Sequence, residues 1–585
     1  MLAEIIVVVA VAPSTLENRK FAGLTPDRIV MTPDRIVRVM VITISNLTLF
    51  VLRLWLLGHE TRLAIDSNFR IGVESAVTNF HTARGSHMSS RHSIPVRGLM
   101  STKTSPFFQG RFGRMFRSLR AAKFGKDDDE NLINLAALGD AMSATFERPK
   151  DGKDEEESGI PALYTYLGQF IDHDITFDPA SSLQKQNDPD ALIDFRTPAF
   201  DLDNVYGRGP DDQPYMYDGG NLFLLGDPIQ GGDPNAKDLP RNNANPRRAL
   251  IGDPRNDENT IVSQLQGLFL RFHNRILADN AGFAFGTLQR LVRFHYQFVV
   301  LNDFLPRIVH SSVLDDLKTN GQYDRSKLKF FHWKNDPFMP VEFSVAAYRL
   351  GHSMIRPGYR LNDDNSTLLP IFPVPQEGLN DGLTGFRAMD PARGIDWGRF
   401  IDVDIRSNDD DVKRLQFAYR IDTSLVNPLH HLPPAVASNP SSLAQRNLER
   451  AWRLGLPSGQ NVARAMHLQP LADKDIIIGK GTDDPDPDAK SIVEVSKVFA
   501  NNCPLWTYIL AEAMQFREPV KIPVNEDVTI NTPRLGPVGG RIVAEVFLGL
   551  MFGDAHSLLS LDPHWHPEQG EDFALKDFVK YALGQ

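Results

Sequence analysis

The sequence predicts a mainly α-helical body joined by long irregular connections. Three observations carry this. Apolar residues recur at helical spacing in one segment after another, clear apolar–polar alternation is scarce, and Gly, Pro, Asn and Asp concentrate in a single stretch, Pro198–Pro254. The spacing predicts helices over Pro254–Asp279, Leu288–Leu301, Pro340–Arg356, Ser441–Leu454, Ser491–Phe499, Leu505–Gln515 and Gly539–Met551. A structureless stretch as long as 198–254 is usually functional or disordered. Tyr215, Tyr217, Phe223, Leu224 and Leu225 punctuate it, so an ordered wrap is expected.

Residues 1–87 read as a separate N-terminal extension, and 88–585 as the main body. The extension repeats TPDRIV at 25–30 and 32–37 and carries an apolar run from Val39 to Leu57, interrupted by Arg53. Nineteen residues with an internal charge make a marginal membrane span, too far from residue 1 for an ordinary signal peptide. A mis-assigned start, a signal anchor and a helical appendage all remain open, and membrane contact is expected only if that run is a true anchor. GSHM at 85–88 resembles the scar of a cleaved tag, and Met88 is a plausible start. Ser89–Lys126 is basic and reads as an extended arm or cover. Lys150–Ser158 and Asp483–Asp488 are charge-dense surface loops.

Composition narrows the function. A hydrophobic content of 42% with 23% charged residues is that of an ordinary globular protein, and the chain is long enough for a large core. A net charge of −10 without a long Lys/Arg run argues against a nucleic-acid partner. The single cysteine, Cys503, excludes an intramolecular disulfide and a Cys-based metal cluster, and leaves the cellular compartment open.

The stretch Leu167–Phe177, LGQFIDHDITF, sets Asp-His-Asp inside an apolar helical run. Gln169, Asp172 and His173 stand at i, i+3 and i+4 and share one face, while Asp174 is rotated about 100° from His173 and faces other surroundings. Ionisable groups in so apolar a run need partners, so a cofactor or a metal is expected. Taken alone, the triplet reads more readily as a partly exposed polar face. In RTPAFDLDNVYG, Thr197, Ala199, Asp201 and Asp203 fall on alternate residues. Oxygen donors so spaced suit Ca²⁺, Ala199 through its carbonyl, though an acidic turn has the same appearance. In IGDPRNDEN, Asp253 caps and Pro254 opens a helix, which places Arg255 and Glu258 one turn apart on one face, where an internal ion pair on a solvated surface is the simplest reading. In EFSVAAYRLGHSMIR, Tyr348, Arg349, His352 and Arg356 mark one helical stripe, and Gly351 lets a flat group approach the backbone. A lone histidine on such a face is more often a satisfied core residue than a ligand. Asn447, among apolar helical neighbours, needs a hydrogen-bond partner, and an imidazole Nδ1–H would be one.

Together, and in this order, the segments resemble the animal-type haem peroxidases of the peroxidase–cyclooxygenase superfamily, in particular its bacterial-like branch, from about Ser89 to the C-terminus. The resemblance implies one large helical domain with few short strands and two cofactors, haem b, with or without ester links, and Ca²⁺. It implies a distal pocket with catalytic His173, Arg255 and Gln169, and ester-forming carboxylates at Asp172 and Glu258. It implies His352 as the iron ligand, Asn447 as its partner and Arg349 beside it, with calcium held by Asp174, Thr197, Ala199, Asp201 and Asp203. The stretches FANNCPLW at 499–506 and LGPVGGRIVAEV at 535–546 match the family as packing. Members that form a sulfonium–haem bond carry methionine after the glutamate; here Asn259 stands there, so that bond is not expected. Cyclooxygenases carry a tyrosine three residues before the iron ligand; here that residue is Arg349.

The expected activity is reduction of hydrogen peroxide with oxidation of small electron donors such as phenols, halides or thiocyanate. Two other readings stay open, a haem-dependent fatty-acid oxygenase and a non-catalytic, calcium-stabilised adhesion protein on the same scaffold.

Overall fold

The computed structural model describes residues 110–145, 153–177, 193–194, 196–365, 367–374, 381–410, 412–434, 436–437 and 439–585, and the backbone of three strands nearer the N-terminus. By its internal contacts the chain divides into two units, 1–91 and 92–585. In the first, β1 (Glu4–Val8), β2 (Ile29–Thr32) and β3 (Arg35–Thr43) form an antiparallel sheet in the order β1-β3-β2. Val30 at the end of one TPDRIV copy faces Val37 at the end of the other. Beyond Thr43 the apolar run lies outside the described residues, as do Met88 and most of the basic arm. Among the described residues no helix is long and apolar enough to cross a membrane.

The second unit is mainly α-helical. Its longer helices are α1 (Asp128–Ala141), α2 (Leu163–Ile175), α3 (Thr260–Asp279), α4 (Phe285–Val299), α5 (Leu443–Arg453), α6 (Leu505–Ala513), α7 (Pro537–Gly553) and α8 (Leu575–Leu583). Strands are short. β4 (Gly110–Gly113) lies between Ile193–Asp194 and Met339–Pro340, so the end of the basic arm is stitched onto the body. Glu342 completes that stitch by accepting from the backbone N–H groups of Met115 and Phe116.

The core forms where aromatic faces stack between helices. Phe170 of α2 stacks on Phe269 of α3 at 4.2 Å, and Phe272 of α3 stacks on Phe578 of α8 at 3.9 Å. Such pairs contribute about 0.5–1.5 kcal/mol beyond the area they bury. In α7 every residue from Val538 to Met551 is buried, in accord with the packing role expected of LGPVGGRIVAEV. The wrap at 198–254 is ordered, held by a hairpin whose Phe223 exchanges backbone hydrogen bonds with the Asn274 carboxamide of α3. Tyr217 and Phe223 are its buried anchors; Tyr215, expected among them, is exposed.

Three predicted helices depart from expectation. The predicted helix Pro340–Arg356 is broken into a single turn, Val341–Ser344, and a 3₁₀ segment, Ala347–His352. The break falls at Ala346 (φ −133°, ψ −75°), and the Arg349 Nε–H donates back to the Ser344 carbonyl at 2.9 Å. Leu288–Leu301, by contrast, runs on through a π turn at Val300–Phe304 into Leu305–Ile308. Pro306 has no N–H to donate to the previous turn, and the wider π turn takes the chain past it. Ser491–Phe499 contains only two short pieces, Ile492–Val495 and Lys497–Phe499.

Candidate functional site

α2 supplies the first half of the site. Within it only Gly168, Gln169 and Asp172 keep partial accessibility, while the residues around them are buried. Gln169 and Asp172 are therefore the side chains of this helix left accessible, on the face that their spacing predicts. His173 is buried, and its Nδ1 stands 2.7 Å from Asn256 Oδ1. Asn256 is itself oriented, because its Nδ2 donates to Gln266 Oε1 at 2.8 Å. Burial and then the Arg255 guanidinium push His173 down to about 3, so the imidazole is neutral near pH 7. With its proton on Nδ1 the ring keeps the Nε2 lone pair free, 3.8 Å from Glu258 Oε1.

The segment IGDPRNDEN folds as a 3₁₀ turn, Pro254–Asp257, capped by Asp253 and followed by α3. Arg255 does not pair with Glu258. Its Nη2 donates to Asp253 Oδ2 at 2.7 Å and to the His173 carbonyl at 3.1 Å, and the guanidinium lies over the Phe177 ring at 4.3 Å. Burial acts against the charge on Asp253, but Arg255 and Arg196 outweigh it and hold that carboxyl below the usual range. Glu258 instead accepts from Gln169 Nε2, and Gln169 Oε1 accepts from Asn259 Nδ2 at 3.2 Å. Enclosure pushes Glu258 up to about 7; the Asp172 charge adds to this and Arg255 opposes it.

The 3₁₀ segment Ala347–His352 supplies the second half. Side chains at i and i+3 eclipse in such a turn, so Arg349 and His352 line up on one side. The single stripe expected of Tyr348, Arg349, His352 and Arg356 does not form. Tyr348 donates to the Gly168 carbonyl at 3.2 Å, tying this segment to α2, and Arg356 pairs with buried Glu157. His352 Nδ1 stands 2.7 Å from Asn447 Nδ2 of α5, so the asparagine expected as its partner lies beside the ring with its amide nitrogen toward Nδ1. Burial and the Arg349 charge push His352 down to about 3. Trp506 packs edge-on to His352, centroids 6.5 Å apart, and its Nε1–H donates to the Arg349 carbonyl at 3.3 Å. A side chain placed at Gly351 would meet nothing within 4 Å. Open space beside His352, walled by partly accessible Arg349 and Gly351, fits a flat cofactor.

Asp174 faces away from this space and is fully buried. It meets Asp201 and Asp203, and one carboxylate oxygen from each lies within 4.8 Å of the others. Neither Asp174 oxygen has a hydrogen-bond partner. Burial, then Asp201 and Asp203, push Asp174 well above the carboxylate range, and burial pushes Asp203 up to about 7 against the opposing charge of Arg196. A bound cation would reverse that penalty, so the donor set fits a hard divalent ion. Thr197 and Ala199 are buried on the same loop, which α4 grips where Gln297 Nε2 donates to the Phe200 carbonyl at 2.7 Å. Sequence reasoning missed Asn256, Gln266 and the contacts of Asn259. Asn256 lies 83 residues from His173 in the chain, and nothing periodic marks it.

Residues 178–377 match the model of the animal haem peroxidase family. Over those residues the chain is similar to the animal haem peroxidases. That match takes in Arg255, Glu258, His352 and the 197–203 loop, whereas His173 and Asn447 lie outside it. The peroxidase fold extends further. Peroxidase A from Dictyostelium discoideum superposes with a TM-score of 0.52 at 16% identity, over 82% of this chain and 94% of that one. A fatty acid α-dioxygenase from Arabidopsis thaliana gives a TM-score of 0.45 at 14% identity, over 79% and 76% of the two chains. Thyroid peroxidase from Canis lupus familiaris is 27% identical over 148 residues, 24% of this chain and 15% of that protein, so the match spans only a small part of that relative.

Proposed function

We propose that this domain is a peroxidase of the bacterial-like branch, which reduces hydrogen peroxide and oxidises small donors such as phenols, halides or thiocyanate. One observation carries the reading. Two imidazoles, His173 and His352, are kept neutral by burial, and each has Nδ1 engaged at 2.7 Å by an asparagine carboxamide. A peroxidase needs one such imidazole as iron ligand and one as base.

Haem, when bound, supplies the redox-active iron at which peroxide is cleaved. His352 would hold it, with its Nδ1 side engaged by the Asn447 carboxamide. A neutral amide partner leaves the imidazole less anionic than a carboxylate would. Arg349 would stand beside the porphyrin, and Asp172 and Glu258 are the carboxylates for ester links. On the other side, His173 Nε2 takes a proton from the attacking peroxide oxygen and returns it to the departing one. Asn256 holds the tautomer this requires. Arg255 stabilises the negative charge that builds on the departing oxygen, an effect worth about 3–4 kcal/mol for a well-placed donor. Its Nη1 has no partner among the described residues, while Asp253 and the His173 carbonyl fix the rest of the guanidinium. Gln169 lines the same face. Ca²⁺ at Asp174, Thr197, Ala199, Asp201 and Asp203 would act structurally, fixing the backbone next to His173. Tyr348 spends its hydroxyl on Gly168, which counts against a fatty-acid oxygenase.

The test is peroxide-dependent oxidation of guaiacol, bromide and thiocyanate by the haem-reconstituted protein. Turnover that falls about 10²–10⁴-fold in His173→Ala supports the reading. Oxygen uptake with linoleate in the absence of peroxide would replace it with the oxygenase. A protein that takes up no haem would leave the adhesion scaffold.

A further inference from the structure

Asn259 stands between the Pro254–Asp257 turn and α3, and both ends of its carboxamide are in use. Its Oδ1 accepts from the backbone N–H groups of Ile261 at 3.1 Å and Val262 at 2.9 Å, which caps α3. Only Nδ2 is then left for Gln169, and it donates to Gln169 Oε1 at 3.2 Å. A carboxamide has one accepting end and one donating end, so this contact turns the Gln169 nitrogen the other way. There it donates to Glu258 Oε1. The helix backbone thus dictates Asn259, Asn259 dictates Gln169, and Gln169 dictates what Glu258 must be.

We infer that Asn259 is a positioning residue that sets the direction of the relay Asn259→Gln169→Glu258 and so holds Glu258 as its accepting, anionic end beside His173. The inference rests on the peroxidase reading of the pocket. A carboxylate kept 3.8 Å from His173 Nε2 stabilises the imidazolium formed when that nitrogen takes a proton. Other charged groups around Glu258 are Asp172 on α2, and Arg255 and Asp253 on the turn. Without Asn259 the Gln169 carboxamide is free to invert. Its oxygen would then oppose the Glu258 carboxylate, and Glu258 would hold a proton to higher pH.

Asn259→Ser separates the relay from the helix cap, because serine caps as well as asparagine but is too short to reach Gln169. The readout is the infrared carboxyl band of Glu258 in the haem-free protein, identified by its loss in Glu258→Gln and followed against pH. The expected result is an upward shift of its midpoint by about one unit, the equivalent of losing one charge-assisted hydrogen bond, with Tm unchanged. Gln169→Met should give a shift of similar size, and the double variant little more than either. An unmoved midpoint in Asn259→Ser, or additive shifts in the double variant, overturns the relay and leaves Asn259 a cap alone. Should Asn259→Ser lose stability, Gln169→Met still decides, since it leaves the cap intact. Failure to bind haem would defeat the peroxidase reading while leaving the infrared result to judge the relay.

Discussion

His173 Nδ1 and Asn256 Oδ1 lie 2.7 Å apart, and the Asn256 carboxamide is in turn fixed by Gln266. Two buried amides therefore decide which imidazole nitrogen carries the proton. Asn256→Ala should slow the reaction with peroxide by about 10- to 100-fold, short of what losing the base itself would cost. It should also lower stability by about 1–3 kcal/mol, because the Gln266 acceptor is left unpaired in the core. Stopped-flow kinetics and denaturant unfolding measure the two effects.

Legibility in the sequence followed periodicity. Helical spacing was enough to put Gln169, Asp172 and His173 on one face and Asp174 on another, and Asp174 indeed meets Asp201 and Asp203. Spacing could not show that Ala346 breaks the segment before His352, because the local hydrogen bond from the Arg349 side chain to the Ser344 carbonyl leaves no mark in the apolar period. Nor could it show Asn256 or Asn259 at work. Each grips a residue more than 80 positions away, and an asparagine in a turn carries no periodic signal.

Calcium should bind at Asp174, Asp201 and Asp203, whose carboxylates crowd together around buried Asp174. Chelation is expected to lower Tm and to slow peroxide turnover through His173, the neighbour of Asp174. Asp174→Ala should remove Ca²⁺ uptake in isothermal titration calorimetry. Tight uptake by that variant would place the ion elsewhere.

Asp172 and Glu258 predict haem that resists acid–acetone extraction after exposure to peroxide. Glu258 already accepts from Gln169, so Asp172→Asn should release more haem than Glu258→Gln. Extraction followed by mass spectrometry of the porphyrin distinguishes the two.

Stability should carry a pH signature of Glu512, which caps α7 by accepting from the N–H groups of Val538 and Gly539. Burial pushes this carboxyl up to about 7 from an ordinary 4.5. The fold favours the protonated form, so its contribution is complete below about 4.5 and is lost as pH rises through about 7. Glu512→Gln should flatten the decline between those limits by about 3 kcal/mol, as measured by denaturant unfolding across pH.

The central claim is that one iron is held by His352 and worked on by His173. The direct measurement is the absorbance spectrum of the haem-reconstituted protein, before and after one equivalent of peroxide, for the wild type and two variants. The account predicts a histidine-ligated Soret band that shifts with peroxide in the wild type. It predicts the same resting band without a rapid shift in His173→Ala, and loss of the band in His352→Ala. A wild-type spectrum that survives His352→Ala, or an undiminished peroxide shift in His173→Ala, would contradict it.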